Sequence, residues 1–351
     1  MAENVEVTPL RIVFLGSDAI ALPLLDWLAG EGSAQATLAA VFTQPDRPAG
    51  RGQKVEANAI KRWALVRNLP VIQPEKLAEA ERTRLAELGA DVALVMAYGH
   101  ILRDDFIATP RLGTLNLHAS LLPAYRGASP IQTAIASGER ETGVTLMRIV
   151  KKLDAGPVAD AERVAIAPRD TAAEVEAKLA AACVPLLARA LPKLVRGELV
   201  FGEQNHAAAG YCRRLEKADG ALDFAATAAV LAARINGLFP WPGCTVEIAG
   251  ESIKLGLAEA VATPGPAAVP SAEACNIIRY KPSFVPGEVL GADEAGLRVA
   301  TGEGGLRLLR LQRPGGRMLA APEFLRGFQV APGTVLPSHP MRPLTGPAPF
   351  R

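Results

Sequence analysis

The stretch Thr114–Pro130, TLNLHASLLPAYRGASP, decides how the first half of this chain is read. Its opening alternates apolar and polar residues. In an extended chain alternate side chains share a face, so Asn116, His118 and Ser120 are expected to line up together while Leu115 and Leu117 face the other way. The chain has only four histidines, and one of them closes this apolar strand. Directly afterwards Pro123 and Gly127 predict a rigid, turned loop over the strand end.

The segments around this strand alternate between strand-like and helix-like patterns. RIVFLG, from Arg11 to Gly16, reads as a strand and is followed by the helix-like AIALPLLDWLAGEG. LAAVFTQ is a second strand, then comes a loop rich in Pro, Gly and Arg. EAERTRLAELGA reads as an exposed helix, and DVALVMAYG as an apolar strand of the kind buried on both faces. Strands alternating with helices predict an α/β fold with a doubly wound, mostly parallel sheet. Such sheets bind ligands beyond the carboxyl ends of their strands, where Asn116 and His118 fall. Downstream, a long helix is expected to begin with Asp170 as its cap, or with Thr171 and Glu174 as a capping box, and to be kinked or broken at Pro185 and Pro192. From Leu199 the pattern loses its period and reads as a connector. A helix, TAAVLAARINGL, then precedes short strands with glycine turns, CTVEIAGESIKL and GLRVATGEGGLRLLRLQ, which predict a small β-barrel or sandwich. The expected division is residues 1–198, a linker at 199–218, a second domain at 219–336 and an extended proline-rich tail at 337–351.

Composition narrows the class. A chain of 351 residues with 49% hydrophobic content is long enough for two cores, and its net charge of +2 excludes polyanion binding through bulk charge alone. Cys183, Cys212, Cys244 and Cys275 form no C-x-x-C pair, so no metal site and no disulfide framework are expected. The N-terminus carries acidic residues and no apolar signal region, and no apolar run is long enough to cross a membrane. A cytoplasmic protein with no membrane partner is expected.

A lone His118 is as readily a core histidine satisfied by backbone. Asn116 on the same face, the turned loop and the downstream KKLDAGP, which supplies Asp154, point instead to chemistry. An amide and a protonated imidazole can stabilise an oxyanion, and a carboxylate can accept the proton of an attacking amine. That set suits transfer of an acyl group to an amine and needs no Ser or Cys nucleophile. A nucleotide-binding oxidoreductase is disfavoured, because the first turn, FLGSDAIALP, lacks G-x-G-x-x-G. Gly16 then either serves the bend or lies against a substrate, and Asp18 is either a helix cap or a ligand group.

NLHASLLPAYRGASPIQTAI together with LDAGP closely resembles the family of formyltransferases that use 10-formyltetrahydrofolate. The resemblance implies Asn116, His118 and Asp154 as the catalytic trio, Ser120, Leu121, Leu122 and Pro123 as part of the folate site, and folate as a co-substrate rather than a tightly bound cofactor. Three further motifs resemble the members that act on methionyl initiator tRNA. FTQPDRPAGRGQK, Phe42 to Lys54, is similar to their tRNA-inserting loop, and Gln44 to Arg62 holds five basic residues against two acidic ones. INGLFPWPG is similar to the start of their C-terminal domain. LRLLRLQRPGGRM, with Arg307, Arg310, Arg313 and Arg317 and no acid, is similar to a basic strand near their end. The implied tRNA contacts are Arg47, Arg51, Lys54, Arg310, Arg313 and Arg317. The implied fold is a Rossmann-like sheet followed by a smaller OB-like β-barrel, in a monomer that binds no DNA. Rivals are a formyltransferase acting on a sugar-nucleotide amine, which should lack the basic loop, and a non-catalytic tRNA-binding protein, which would not need the trio. The turn GSDAI and the segment EANAIK depart from the family pattern.

Overall fold

The computed structural model describes residues 9–49, 54–262 and 284–350. Its first half is built on a seven-stranded sheet: β1 (Leu10–Leu15), β2 (Ala36–Phe42), β3 (Val71–Ile72), β4 (Val92–Val95), β5 (Thr114–His118), β6 (Glu141–Arg148) and β7 (Val158–Ala165). The strand order is β7-β6-β5-β4-β1-β2-β3. β5, β4, β1, β2 and β3 run parallel, while β6 and β7 are antiparallel additions. Helices α1 (Leu22–Ala29), α2 (Ala59–Val66), α3 (Glu79–Glu87), α4 (Asp104–Ile107), α5 (Pro130–Ala136) and α6 (Ala172–Val195) complete this part. In β1 Ile12 and Phe14 enter one core, with Leu94, Leu115, Leu117 and much of α6, whereas Val13 and Leu15 enter another, with Ala93, Val95 and Phe106. That is the two-sided burial expected of a doubly wound sheet.

α6 corrects one expectation. It runs unbroken through Pro185 and Pro192. An interior proline costs about 3 kcal/mol, but α6 buries eleven residues, Leu179, Leu186, Leu187 and Leu191 among them. At roughly 1.5–3 kcal/mol for each large side chain, burial outweighs the prolines. Thr171 is the cap rather than Asp170: its N–H donates to Glu174 at 3.0 Å, and Asp170 pairs instead with Lys178 and the Ala167 N–H.

The second half has its own core. The helix α7 (Ala228–Leu238) precedes β8 (Cys244–Ile248), β9 (Glu251–Val261), β10 (Val289–Ala292), β11 (Leu297–Ala300), β12 (Gly305–Gln312) and β13 (Leu319–Ala320), with α8 (Ala321–Gly327) after them. The antiparallel order is β8-β9-β12-β11-β10, with β13 beside β12. Among the described residues β8 and β10 remain unjoined edges, so the sheet is a curled half-barrel rather than a closed one. Ala249 and Gly250 both have positive φ and close the β8–β9 hairpin. The INGLFPWPG motif has a mechanical role at the joint. Asn236 bonds both backbone groups of Ala258 (2.9 and 2.8 Å), where the β9–β12 register shifts. A Cβ on Gly237 would lie 2.5 Å from the Ala136 nitrogen, so glycine permits α7 to meet α5.

The proline-rich tail is not free. Leu344 is buried in the second core, and Thr345–Gly346 pairs with Tyr211–Cys212, which in turn pairs with Arg126–Gly127.

Candidate active site

β5 lies between β4, with which it pairs as far as Asn116, and β6, with which it pairs as far as His118 opposite Thr145. Leu115 and Leu117 are buried in the core under α6. Asn116 and His118 therefore project from the opposite face, as the alternation requires. Ser120 does not continue their row. The chain turns after His118, where the Ser120 N–H donates to the His118 carbonyl at 2.9 Å. Its hydroxyl donates to the Ala124 carbonyl (2.7 Å), and its own carbonyl accepts from Thr145 Oγ1 (2.6 Å). Ser120 is fully buried and its side chain closes the loop. Leu121, Leu122 and Pro123 form that loop, with a cis Leu122–Pro123 bond and the Leu122 N–H on Thr145 Oγ1 at 3.1 Å.

The loop holds both ionisable members of the expected trio. His118 is 7% exposed, with Nε2 3.0 Å from the Tyr125 carbonyl oxygen. A carbonyl only accepts, so Nε2 carries a hydrogen. Nδ1 faces Asp154 Oδ2 at 3.8 Å, an ion-pair distance too long for a direct hydrogen bond. Asp154 sits at a positive φ of 45°, and its Oδ2 accepts the Gly127 N–H at 2.8 Å. Gly127 has φ 122°, and a Cβ there would stand 2.1 Å from the Cys212 carbonyl oxygen. Only glycine fits that crossing. The structure thus brings His118 and Asp154 together, with Asn116 two residues upstream on the same face.

Behind Asp154 lies an arrangement that the sequence reading missed. Gln204 Nε2 donates to the carbonyls of Asp154 (2.9 Å) and Gly156 (2.7 Å). Its Oε1 accepts from Arg126 Nε and Nη2 at 3.2 and 2.6 Å. Arg126 is fully buried, and its remaining contacts are the Tyr211 hydroxyl (3.3 Å) and His206 Nδ1 (3.0 Å). No carboxylate bonds this guanidinium among the described residues. The arginine of AYRG is its only sequence signal; Gln204 has none. Nearby, burial pushes the Cys212 thiol up to about 11.

The first turn is likewise knitted into the fold. A Cβ on Gly16 would meet Phe14 at 2.5 Å and the Met96 carbonyl at 2.6 Å, so Gly16 serves close approach. Asp18 caps the following turn through the Ile20 N–H at 3.0 Å. Ser17 Oγ accepts the Gln44 N–H (3.0 Å), and Asn58 of EANAIK caps α2 through the Lys61 N–H (3.0 Å).

The basic residues are more paired than a local count suggests. Arg47 meets Glu75 at 2.8 Å, within an antiparallel pair formed by Arg47–Ala49 and Lys54–Glu56, and Lys54 is exposed. Arg51 and Cys275 lie outside the described residues. In the second half the sheet brings acids to the arginine strip. Arg307 pairs with Glu259 (2.9 Å) and Asp293 (2.6 Å), Arg313 with Glu251 (2.6 Å), and Arg317 approaches Glu323 at 3.8 Å. Arg310 is exposed with no carboxylate partner among the described residues. Among those residues no group of three or more His, Cys, Asp or Glu is disposed to hold a metal ion, and no helix is long and apolar enough to cross a membrane.

Residues 10–191 match the formyl transferase domain, and residues 214–329 match the formyl transferase C-terminal domain. A methionyl-tRNA formyltransferase from Parvibaculum lavamentivorans is 41% identical over 330 residues, which cover 92% of this chain and 99% of the relative. The chain belongs to the methionyl-tRNA formyltransferase family. A second methionyl-tRNA formyltransferase, from Aromatoleum aromaticum, is 39% identical over 93% of this chain and 96% of its own. In fold the chain is also similar to a sugar 3N-formyl transferase, WlaRD, solved in the presence of dTDP and 5-N-formyl-THF. There the TM-score is 0.60 at 17% identity, covering 88% of this chain and all of the other. At that identity the likeness speaks for the formyltransferase fold alone.

Proposed function

We propose that this chain transfers the formyl group of 10-formyltetrahydrofolate to the free amino group of methionyl initiator tRNA, and that Asn116, His118 and Asp154 carry the step. The carrying observation is the imidazole of His118 held between the Asp154 carboxylate and the Tyr125 carbonyl at a strand end that also presents Asn116. The amine nitrogen attacks the formyl carbon and a C–N bond forms. The carbonyl oxygen becomes an oxyanion, which the Asn116 amide and protonated His118 stabilise. Asp154 accepts the amine proton, directly or through a bridging water. The bond from carbon to the folate nitrogen breaks, that nitrogen is protonated, and tetrahydrofolate leaves with formylated methionyl-tRNA as the other product.

The segment Ser120–Pro123 would shape the folate site through its backbone, since the Ser120 hydroxyl is already engaged. Arg47, Arg51, Lys54, Arg310, Arg313 and Arg317 would meet tRNA. Exposed pairs such as Arg313–Glu251 are weakened by solvent and salt, so their arginines exchange readily onto phosphates. The division into a catalytic part through residue 198, a connector at 199–218, a tRNA-binding part at 219–336 and a tail belongs to this proposal, as do a cytoplasmic location and a monomer without DNA binding.

His118→Ala tests the mechanism. Turnover is expected to fall at least ~10²-fold with tRNA affinity little changed. A near-normal rate would remove His118 from the chemistry.

A further inference from the structure

A cleft of about 560 Å³ opens next to the neighbours of Asp154, lined by Gly127, Leu153, Tyr211, Arg214, Arg342 and Phe350 among others. Gly127 holds the Asp154 carboxylate and Leu153 precedes it in the chain. The cleft therefore begins where the amine must lose its proton. Its far wall is the C-terminal tail, which lies beyond the matched domain ending at residue 329. The tail is held there by the Thr345–Gly346 pairing, by Leu344 in the second core and by the Pro343 carbonyl, which accepts Arg213 Nε at 3.2 Å.

Resting on the functional reading above, we propose that the segment Arg342–Phe350 forms one wall of the acceptor-end site and grips the terminal nucleotide of the tRNA substrate. The amino acid is esterified to the ribose of that nucleotide. With the amine at Asp154, the nucleotide has to occupy the adjoining space, and the volume falls within the range of small-ligand sites. The chemistry of the lining matches a nucleotide. Arg213, Arg214 and Arg342 face it against a single acid, Glu216. Arg213 is committed to Asp219 at 2.8 Å, and Arg342 Nη1 rests on Glu216 at 2.7 Å. A phosphate can replace that exposed carboxylate as the partner of Arg342, while Arg214 adds a second charge. Phe350 is 42% exposed, with its ring edge turned toward Gly346, which leaves aromatic surface for a base.

The test compares the full-length protein with Phe350→Ala, Arg342→Ala and a chain ending at Gly346, which keeps Leu344 in its core. Each is assayed for formyl transfer to charged initiator tRNA and to a charged CCA trinucleotide that lacks the tRNA body. Loss of one base stack or phosphate contact is expected to raise KM for both substrates by about tenfold, with KM for 10-formyltetrahydrofolate unchanged and Tm preserved. Unchanged KM for both substrates would overturn the inference, as would a loss confined to whole tRNA, which would put the tail on the tRNA body. If the unaltered protein formylates neither substrate, the functional reading itself fails first and takes this inference with it.

Discussion

His118 is legible from sequence because its neighbours alternate. Leu115 and Leu117 must go to the core under α6, so Asn116 and His118 share the opposite face. Asp154 is legible only as a carboxylate beside a glycine, and its partner, the Gly127 N–H, comes from a loop that folds over the strand end. Ser120 does not fall where the alternation puts it, because the strand ends at His118 and the Ser120 N–H and hydroxyl turn the chain through bonds to the His118 and Ala124 carbonyls. Arg126 and Gln204 were invisible for another reason: they meet across 78 residues. Gln204→Ala leaves the buried guanidinium without its main acceptor, which costs about 1–3 kcal/mol. It also releases the Asp154 backbone, so kcat should fall several-fold while KM for tRNA stays near normal. Equal kcat in steady-state assays would make Gln204 purely structural. Gly127→Ala should lose about 1–3 kcal/mol in urea denaturation, because the new Cβ meets the Cys212 carbonyl at a positive φ. Unaltered stability would contradict the crossing described above.

Among the elements, α6 shows where local rules yield to packing. Pro185 and Pro192 are local break signals, yet the helix continues because it buries eleven residues. Its start obeys the local rule, and Thr171→Ala should cost about 1 kcal/mol at neutral pH. The Thr171 hydroxyl and then its backbone N–H hold the Glu174 carboxyl below its ordinary 4.5, against opposing desolvation. A depressed carboxylate contributes stability that is present above the ordinary value and lost as pH falls through the folded one. The gap between Thr171→Ala and the unaltered chain should therefore shrink below about pH 4, and urea titrations at pH 7 and pH 3 check this. A constant gap would put the cap's contribution elsewhere. β12 and the turn after it fail in the opposite sense: Arg307, Arg313 and Arg317 read as unopposed because the acids that meet them lie on β9, on the turn before β11 and in α8. A linear count of charge cannot include partners supplied by a sheet.

At the scale of the whole molecule, two cores are joined at α5 and α7 and again by the short sheet of Arg126–Gly127, Tyr211–Cys212 and Thr345–Gly346. The two cores were legible because length, strand–helix alternation and the later change to short strands all point to them. The return of the tail to the catalytic half was not, because proline-rich sequence carries no period. A substrate met through phosphates predicts that KM for tRNA rises steeply with salt, while KM for folate changes far less. Arg310→Ala should reduce that salt slope by about one, and an unchanged slope would remove Arg310 from the interface. The most direct test of the account is formyl transfer from 10-formyltetrahydrofolate by the purified chain, with charged initiator tRNA, charged elongator methionyl-tRNA and an amino-sugar nucleotide compared side by side. The account predicts rapid transfer to the initiator, much slower transfer to the elongator and none to the sugar. Transfer to the sugar nucleotide with neither tRNA modified would contradict it.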